Sequence, residues 1–537
     1  MIGGFSIRYL LILIALSGIT IAFQNCGSTG FYSSSAVGSR EVAAATSSAS
    51  KPLQRMVFAH YMPGFTGGVD YPARILDANS GKSKGVGDAP LYAQSFFPGA
   101  TPWGSTLEDF IRYEIRTAMS VGVDGFSFDY GGGMNQGHQV YLPTIDAFFS
   151  VAEAEFPTFR LAVALDEAGH GGEPSIRQNS IQEFLQKHQN SPVLMRVGDR
   201  PVFFSYRASA LDPYSPPAAG SSPNDFAFIE QQLEVIKSWQ TLWRNLNVNP
   251  VFITDLPNAW QWRQWGFSEA TIRTILSSWA DAFDGLSVWG GTDTLDQARW
   301  LYPIMGSICN SRHKIFMAPV WWGYFASHGR ILMSGADMAL GTWTLAQDAG
   351  AQWITVNTWN DYSEQSNWDP SITHGYGLSD ILKAESAWFK TGQYAFPEKP
   401  QVILFYRRFL APAAGIKTWL PLDDTLDVVT LSLQPGELKV GNLSQKISSG
   451  IESHRFPLPE GHVEAEFSSE NQTVIASGEV AVTKHPLTFL WGTYIASSNF
   501  DQEIAAQFGA PAPKDDPMVL AWKSTWLPWI DPAVIPH

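Results

Sequence analysis

Short apolar runs alternate with longer amphipathic stretches from about residue 55 to residue 396. The short runs are rich in β-branched and aromatic residues, which is typical of strands, and the longer stretches have helical spacing. The predicted strands are Met56–Tyr61, Gly125–Tyr130, Phe159–Asp166, Pro201–Tyr206, Val251–Asp255, Gly285–Trp289, Ile315–Val320 and Trp353–Thr358. The predicted helices include Leu107–Ser120, Ser180–His188, Phe226–Leu246, Ser268–Ala280 and Ala336–Asp348. Because eight such strands close a (β/α)8 barrel, we predict a TIM barrel over residues 55–396, with its active site at the carboxyl ends of the strands.

The pattern changes after about Pro397, where short strand-like runs are separated by Gly, Pro and Asn. The predicted strands of this region are Val402–Tyr406, Asp427–Leu433, Glu437–Val440, Val463–Phe467, Thr473–Ala476, Glu479–Val482 and Leu487–Trp491. This succession predicts an accessory β-sandwich domain over residues 397–537. A chain of 537 residues is also longer than one hydrophobic core usually serves.

The first 25 residues read as a signal peptide, because one early charge precedes the apolar run Tyr9–Phe23. Cys26 follows this run in a way that resembles a bacterial lipoprotein signal, so we expect an exported protein that is lipidated at Cys26. The alternative is a secreted protein with an unmodified cysteine. Residues 26–54 are rich in Ser, Ala and Gly, which predicts a flexible linker.

The composition is weakly charged and rich in aromatic residues. Charged residues make up 16 %, aromatic residues 13 %, and the net charge is -15. Such a balance argues against nucleic-acid binding and against direct membrane binding, since both need a basic surface. It fits a monomer that takes a neutral glycan and meets a membrane only through its lipid anchor. The 21 tryptophans fit sugar-binding sites and fit a large aromatic core equally well.

The segment from Trp353 to Ser366 begins as a buried strand and ends in polar residues, among them two carboxylates. If the chain turns helically after Asn360, the Cβ atoms of Asp361 and Glu364 come about 5–6 Å apart. Glycoside hydrolysis needs such a pair, one carboxyl group to protonate the leaving oxygen and one to activate water or attack the sugar. The alternative is a helix N-terminus, at which Glu364 completes a capping box.

Polar and aromatic residues follow the other predicted strands, where the mouth of a barrel lies. The predicted substrate-binding residues are His60, Tyr61, Asp129, Asp166, Tyr206, Asp255, Trp289, Trp321, Trp322, Trp359 and Asn360. The long Gly-rich loop Pro63–Trp103 is predicted to cover the mouth. One rival interpretation makes Asp166 and Glu167 the catalytic acids, and another makes His60, Asp129 and Asp166 the ligands of a metal. Each residue taken singly also fits a purely structural role.

Several stretches resemble glycoside hydrolase family 71, the endo-alpha-1,3-glucanases called mutanases. They are Val57–Met62, Val123–Asp129, Phe283–Leu286, Met317–Trp322, Asp427–Thr430 and, as the most specific, Thr358–Gln365. The resemblance implies a barrel followed by a sandwich, and an inverting enzyme whose catalytic pair matches Asp361 and Glu364. The chain departs from the family pattern at Ser363 and Gln365. Endo-alpha-mannosidase-type barrels have a similar Trp-Asn-acid-aromatic-x-Glu pattern after their last strand.

The resulting expectation is an exported glycoside hydrolase that cleaves an alpha-linked glucan, with Glu364 as general acid and Asp361 as base. The opposite assignment of these two roles is the alternative. The chemistry requires no metal and no cofactor. Two other functions stay open, an endo-alpha-mannosidase-like glycosidase and a non-catalytic lipoprotein that binds surface glycans.

Overall fold

The computed structural model describes residues 54–65, 106–131, 141–167, 174–208, 224–256, 259–290, 294–326, 330–333, 335–362, 364–371, 374–407, 410, 417–418, 423–478, 482 and 493–499. These residues all belong to one compact unit, Ala43–His537. The predicted signal peptide, Cys26, nearly all of the linker and most of the loop Pro63–Trp103 lie outside the described residues. Within the described part of the chain, no helix is long and apolar enough to cross a membrane.

Eight parallel strands form the centre of the molecule. The strands up to residue 356 are β1 (Met56–Tyr61), β2 (Gly125–Tyr130), β3 (Arg160–Asp166), β4 (Arg196–Val197), β5 (Arg200–Tyr206), β6 (Val251–Asp255), β7 (Gly285–Ser287), β8 (Ile315–Val320), β9 (Gly323–Ala326), β10 (Arg330–Met333) and β11 (Trp353–Val356). The parallel strands are ordered β3-β2-β1-β11-β8-β7-β6-β5, and pairing of β3 with β5 closes the ring. The predicted TIM barrel is therefore confirmed. Two strands, β7 and β11, end two residues earlier than predicted.

Helices surround this barrel. They are α1 (Leu107–Ser120), α2 (Tyr141–Glu155), α3 (Pro174–His188), α4 (Asp225–Asn245), α5 (Ala259–Gln264), α6 (Glu269–Ala282), α7 (Leu295–Ser311), α8 (Gly335–Asp348) and α9 (Gly377–Thr391). Local chemistry fixes several of their starts. At the start of α1, the Thr106 hydroxyl accepts a hydrogen bond from the Asp109 backbone N–H, and the Asp109 side chain accepts one from the Thr106 backbone N–H, which forms a capping box. Thr294 and Gln297 form the same arrangement at α7.

Side chains of the barrel strands alternate between two apolar layers, because successive strand residues point to opposite faces. On β1, Phe58 belongs to the cluster inside the barrel, whereas Val57, Ala59 and Tyr61 belong to the cluster between strands and helices. The interior cluster consists of Phe58, Ala162, Ala164, Met195, Val202, Phe204, Val251, Ile253, Ile315, Met317 and Trp353. By this alternation His60 faces the interior, and Tyr61 faces the helices.

The region after residue 400 contains two four-stranded antiparallel sheets. Its strands are β12 (Gln401–Arg407), β13 (Lys417–Thr418), β14 (Thr425–Ser432), β15 (Gly436–Val440), β16 (Leu443–Ile447), β17 (Gly450–Pro457), β18 (Glu464–Ser469), β19 (Gln472–Ser477) and β20 (Thr493–Ser497). The sheets have the orders β17-β14-β12-β20 and β16-β15-β18-β19. They are compatible with the predicted sandwich. The predicted strands Glu479–Val482, apart from Val482, and Leu487–Trp491 lie outside the described residues.

The first of these sheets packs on the barrel's helices. Arg455 of β17 forms ion pairs with Asp337 of α8 at 2.6 Å and with Asp427 of β14 at 3.0 Å. The Asn499 amide donates to the Asp380 carboxylate on α9 at 2.9 Å. A smaller sheet also connects the two regions, since the hairpin β9–β10 that follows β8 pairs with β13.

Candidate active site

The loop after β11 closes on itself and presents Asp361 and Glu364. The Thr358 N–H donates to the Ser366 carbonyl at 2.9 Å, and the Ser366 N–H donates to the Asp361 carbonyl at 3.3 Å. The Asp361 N–H donates to the Thr358 hydroxyl at 2.9 Å. The described residues of this loop form turns rather than a helix, and the next described helix begins at Gly377. The interpretation of this segment as a helix N-terminus is therefore wrong.

The two predicted catalytic carboxylates are linked through the backbone. The Glu364 N–H donates to Oδ1 of Asp361 at 3.2 Å. Such an Asx-type contact fixes the Asp361 side chain relative to the residue that carries the second acid. The pair is held by a turn that is not part of a helix, in contrast to the helical turn expected after Asn360.

Glu364 is an acid with a raised pKa. Burial, followed by the negative charge of Asp361, raises the pKa of Glu364 to about 8, and a hydrogen bond from Tyr324 opposes the rise. The Tyr324 hydroxyl donates to Oε1 of Glu364 at 3.1 Å. Glu364 therefore holds a proton at neutral pH, which is the state that a general acid needs.

A second set of carboxylates lies near this pair. Burial raises the pKa of Asp129 well above its ordinary value, and the negative charges of Asp166 and Asp361 raise it further. Asp129 and Asp166 stand at the ends of β2 and β3, on the side of those strands that faces the barrel interior. The barrel mouth thus brings together acids that are far apart in the chain, and their mutual repulsion favours protonation of some of them.

A pocket inside the carboxyl end of the barrel is lined by four of the predicted site residues, His60, Tyr206, Asp255 and Trp289. The Trp289 ring makes edge contacts with His60, at a centroid distance of 4.7 Å, and with Tyr206, at 4.8 Å. Trp289 is partly exposed. One indole is therefore held in place by two aromatic neighbours while part of its surface stays accessible.

The ionisable groups of this pocket are neutral at neutral pH. Burial lowers the pKa of His60 to about 3 and raises the pKa of Asp255 to about 8. Backbone N–H groups of Arg207 and Trp289 hydrogen-bond Asp255 and oppose that rise. Burial also raises the pKa of the Tyr206 phenol, against the effect of the Arg207 charge. Neutral donors and acceptors of this kind suit hydroxyl groups of an uncharged ligand.

Five of the predicted substrate-binding residues hold the protein together instead. Tyr61, Trp321, Trp322 and Trp359 are 0–2 % exposed, so their ring faces are covered by protein and cannot stack on a sugar. Tyr61 packs among phenylalanines of β2 and α2. Both polar groups of the Asn360 amide bond the backbone of Met62, its oxygen at 2.7 Å and its nitrogen at 3.1 Å. These five assignments are corrected to structural roles.

The buried tryptophans anchor the loop that carries the pair. The Trp359 indole donates to the carboxyl group of Glu114 on α1, and the Trp322 indole donates to the Asn367 carbonyl at 3.1 Å. The Tyr362 hydroxyl donates to the carboxylate of Asp369 further along the same loop. Every one of these contacts is buried, so the loop after β11 is fixed by hydrogen bonds to two distant parts of the barrel.

In the rival acid pair, Asp166 and Glu167, one member is held in a buried ion pair. Glu167 forms an ion pair with Arg177 of α3 at 2.6 Å, and both side chains are 1 % exposed. The Arg177 guanidinium also lies over the Trp239 ring, 4.7 Å from its centre. Because protein encloses this ion pair, Glu167 cannot contact a substrate and has a structural role, while Asp166 stays at the mouth.

Tyr324 and Arg207 were not among the predicted site residues. Arg207 directly follows β5 and is one of four non-glycine residues with positive φ in the described part of the chain, at 59°. It stands at a strand end, which is a signal that sequence reasoning can use. Tyr324 carries no such signal, because its contact with Glu364 depends on how the hairpin β9–β10 folds back.

The metal-hydrolase interpretation finds no arrangement to support it in the part of the chain that the structure describes. No group of three or more His, Cys, Asp or Glu side chains is placed there so as to hold a metal ion.

No protein family model matches the chain, and no curated protein matches it. Solved structures that are similar include a family 99 endo-alpha-mannosidase from Bacteroides thetaiotaomicron, 14 % identical, covering 63 % of this chain and 97 % of that one, with a TM-score of 0.42. A glycoside hydrolase-like protein is 12 % identical, with coverages of 63 % and 96 % and a TM-score of 0.42. A double mutant of the Cellulomonas fimi endo-beta-1,4-mannanase is 13 % identical, with coverages of 67 % and 86 % and a TM-score of 0.34. At these identities and TM-scores the similarities assign the chain to no family and identify no substrate.

Proposed function

We propose that this protein is a glycoside hydrolase that cleaves an alpha-linked glucan, with an endo-alpha-1,3-glucanase as the specific hypothesis. The observation that carries the proposal is Glu364, an acid kept protonated by burial and by Asp361 at the mouth of a (β/α)8 barrel. The resemblance of Thr358–Gln365 to family 71 supports the choice of linkage.

In the proposed reaction Glu364 transfers its proton to the glycosidic oxygen as the bond from that oxygen to the anomeric carbon breaks. Asp361 takes a proton from a water molecule, whose oxygen forms the new bond to the anomeric carbon. Attack from the face opposite the leaving group inverts the configuration. Both carboxyl groups then return to their starting states when Asp361 loses its proton and Glu364 regains one.

The remaining residues of the mouth would bind the sugar. His60, Tyr206 and Asp255 offer uncharged hydrogen-bonding groups, and Trp289 offers an aromatic surface for the apolar face of a pyranose ring. Asp129 and Asp166 would bind hydroxyl groups or tune the catalytic pair, since the charges of Asp166 and Asp361 both act on Asp129. These roles stay predictions.

The test is product release from a panel of alpha-1,3-, alpha-1,4- and alpha-1,6-glucans and alpha-mannans by the purified protein. We expect new reducing ends from alpha-1,3-glucan, with loss of activity by roughly 10²–10⁴-fold in Glu364→Gln, as removal of a general acid requires. The matched control is Glu234→Gln on the exposed face of α4, which keeps full activity. Proton NMR of the first product formed reports inversion or retention.

Each other outcome of that panel points to a different function. Release from alpha-mannan alone would replace the glucanase hypothesis by a mannosidase. Glycan binding without release by well-folded protein would contradict catalysis and favour a binding lipoprotein.

We further propose that the protein is exported and lipidated at Cys26, on the strength of the apolar run Tyr9–Phe23 that precedes it. We expect wild-type protein in the membrane fraction and Cys26→Ser in the supernatant after cell lysis. Equal distribution of the two proteins would contradict a lipid anchor.

A further inference from the structure

The hairpin β9–β10 begins directly after β8, at a point where the chain is firmly held. Trp321 and Trp322, which separate β8 from the hairpin, are 0 % and 2 % exposed. The second residue of β9 is Tyr324, whose hydroxyl donates to Oε1 of Glu364 at 3.1 Å across 40 residues of sequence. The proposed acid thus depends on a side chain from a different barrel strand's loop.

The same hairpin is tied to the region after the barrel. On one side β10 pairs with β9, with Leu332 opposite Tyr324. On the other side β10 pairs in parallel with β13, with Arg330 opposite Lys417 and Ile331 opposite Thr418. A continuous three-stranded sheet therefore runs from the C-terminal region to the tyrosine that contacts Glu364.

This contact decides where the proton of Glu364 sits. A protonated carboxyl group carries its proton on one oxygen and accepts hydrogen bonds best on the other. Because the Tyr324 hydroxyl donates to Oε1, protonation of Glu364 on Oε2 is favoured. The tyrosine thereby selects the oxygen from which a proton can be delivered, and it also lowers the pKa of Glu364 relative to burial alone.

We propose that Tyr324 is a positioning residue for the acid Glu364, and that the C-terminal region takes part in the active site by holding the hairpin through β13. The proposal rests on the proposed function of Glu364 and adds a role for both the hairpin and the region beyond the barrel. It makes the C-terminal region part of the catalytic unit rather than a separate packing domain.

The first test is Tyr324→Phe, which removes the hydroxyl and keeps the ring. We expect kcat to fall roughly tenfold, as loss of one hydrogen bond to an ionisable group predicts, with KM little changed. The alkaline limb of the pH profile moves to higher pH, because the lost hydrogen bond no longer favours the ionised form of Glu364. The matched control is Tyr394→Phe on the protein surface, which changes neither. An unchanged rate and pH profile in Tyr324→Phe would overturn the proposal.

The second test concerns β13. Thr418→Pro replaces one of the two β13 residues that pair with β10 by a residue without a backbone N–H, and it leaves the Tyr324 side chain itself unchanged. We expect a change in the same direction as in Tyr324→Phe, a lower kcat with an alkaline limb shifted upward. If Tyr324→Phe shifts the limb and Thr418→Pro does not, the part assigned to the C-terminal region is wrong.

A direct titration separates this proposal from the proposed function. Infrared difference spectra of wild type minus Glu364→Gln give the pKa of the Glu364 carboxyl group without any substrate. A higher pKa in Tyr324→Phe supports the positioning role even if no glycan is cleaved, whereas an unchanged pKa overturns it even if the protein proves to be a glucanase.

Discussion

Glu364, which is half-buried, and Glu167, which is buried, are two acids that follow barrel strands and have different neighbours. Burial raises both pKa values, to about 8 for Glu364 and about 7 for Glu167. Glu167 is paired with the Arg177 guanidinium, while Glu364 accepts a hydrogen bond from the neutral Tyr324 hydroxyl. The two pKa values are similar, so the partners distinguish the acids: Glu167 is held in an enclosed ion pair, whereas Glu364 has, among the described residues, a neutral partner and no ion pair to break when it transfers a proton.

The largest effect that follows from this comparison is on stability. Glu167→Gln leaves the buried Arg177 without its counter-charge, so we expect the free energy of unfolding to fall by roughly 3–5 kcal/mol. Glu364→Gln has no such effect, because the partner that the structure describes for the Glu364 side chain is the uncharged Tyr324 hydroxyl. Urea unfolding followed by tryptophan fluorescence measures both variants. The double variant Glu167→Gln/Arg177→Met recovers much of the loss, and equal stability of all four proteins would remove the distinction between the two acids.

Glu114 on α1 is a third case, since burial raises its pKa to about 8 while it accepts a hydrogen bond from Trp359. The pKa of Glu114 is higher in the folded than in the unfolded protein, so the stability that protonated Glu114 contributes is fully present below about pH 4.5. This contribution is lost as the pH rises through about 8. Within that pH range, each such group lowers the free energy of unfolding by about 1.4 kcal/mol for every unit that the pH rises. Glu114→Gln keeps an acceptor for Trp359, so we expect a flatter dependence of unfolding free energy on pH between 5 and 8. A slope identical to that of wild type would contradict a protonated Glu114.

Sequence patterns were enough to place the barrel strands, because each is a short apolar run between turns. The bounds of β1, β2, β6 and β8 agree with those predicted. The alternation of strand residues also implies that His60 and Tyr61 cannot both face the mouth. Since every second residue faces the interior, counting from Phe58 places His60 in the interior and excludes Tyr61 from the predicted substrate-binding residues.

The contacts that define the site were beyond such reasoning. Asn360 bonds the backbone of Met62 across 298 residues, and Tyr324 reaches Glu364 across 40. Neither contact has a local pattern, since both depend on which loops the closed barrel brings together. The same holds for Arg177, whose pairing with Glu167 distinguishes that acid from Glu364.

The comparison also predicts the pH at which activity is lost. With a pKa of about 8, Glu364 remains protonated and active at neutral pH, and activity falls about tenfold per pH unit above that value. An exposed glutamate as acid would lose activity from about pH 4.3 upward. The profile of kcat/KM against pH on the hydrolysed glucan measures the limb. If activity instead begins to fall near pH 5, the acid has the pKa of an ordinary surface carboxylate, and the raised pKa of Glu364 is contradicted.

The smallest predicted effect concerns the aromatic residues, of which one is accessible in the pocket and another is enclosed by protein. Trp289 is partly exposed between His60 and Tyr206, whereas Tyr61 is fully buried among phenylalanines. Loss of a stacking surface worth about 1.4 kcal/mol corresponds to a tenfold weaker binding, so we expect Trp289→Ala to raise KM about tenfold. Trp289→Phe retains a smaller aromatic surface and gives an intermediate value. Tyr61→Phe keeps the packed ring, so we expect an unchanged KM. A rise in KM for Tyr61→Phe as large as that for Trp289→Ala would instead support the original prediction that Tyr61 binds the sugar.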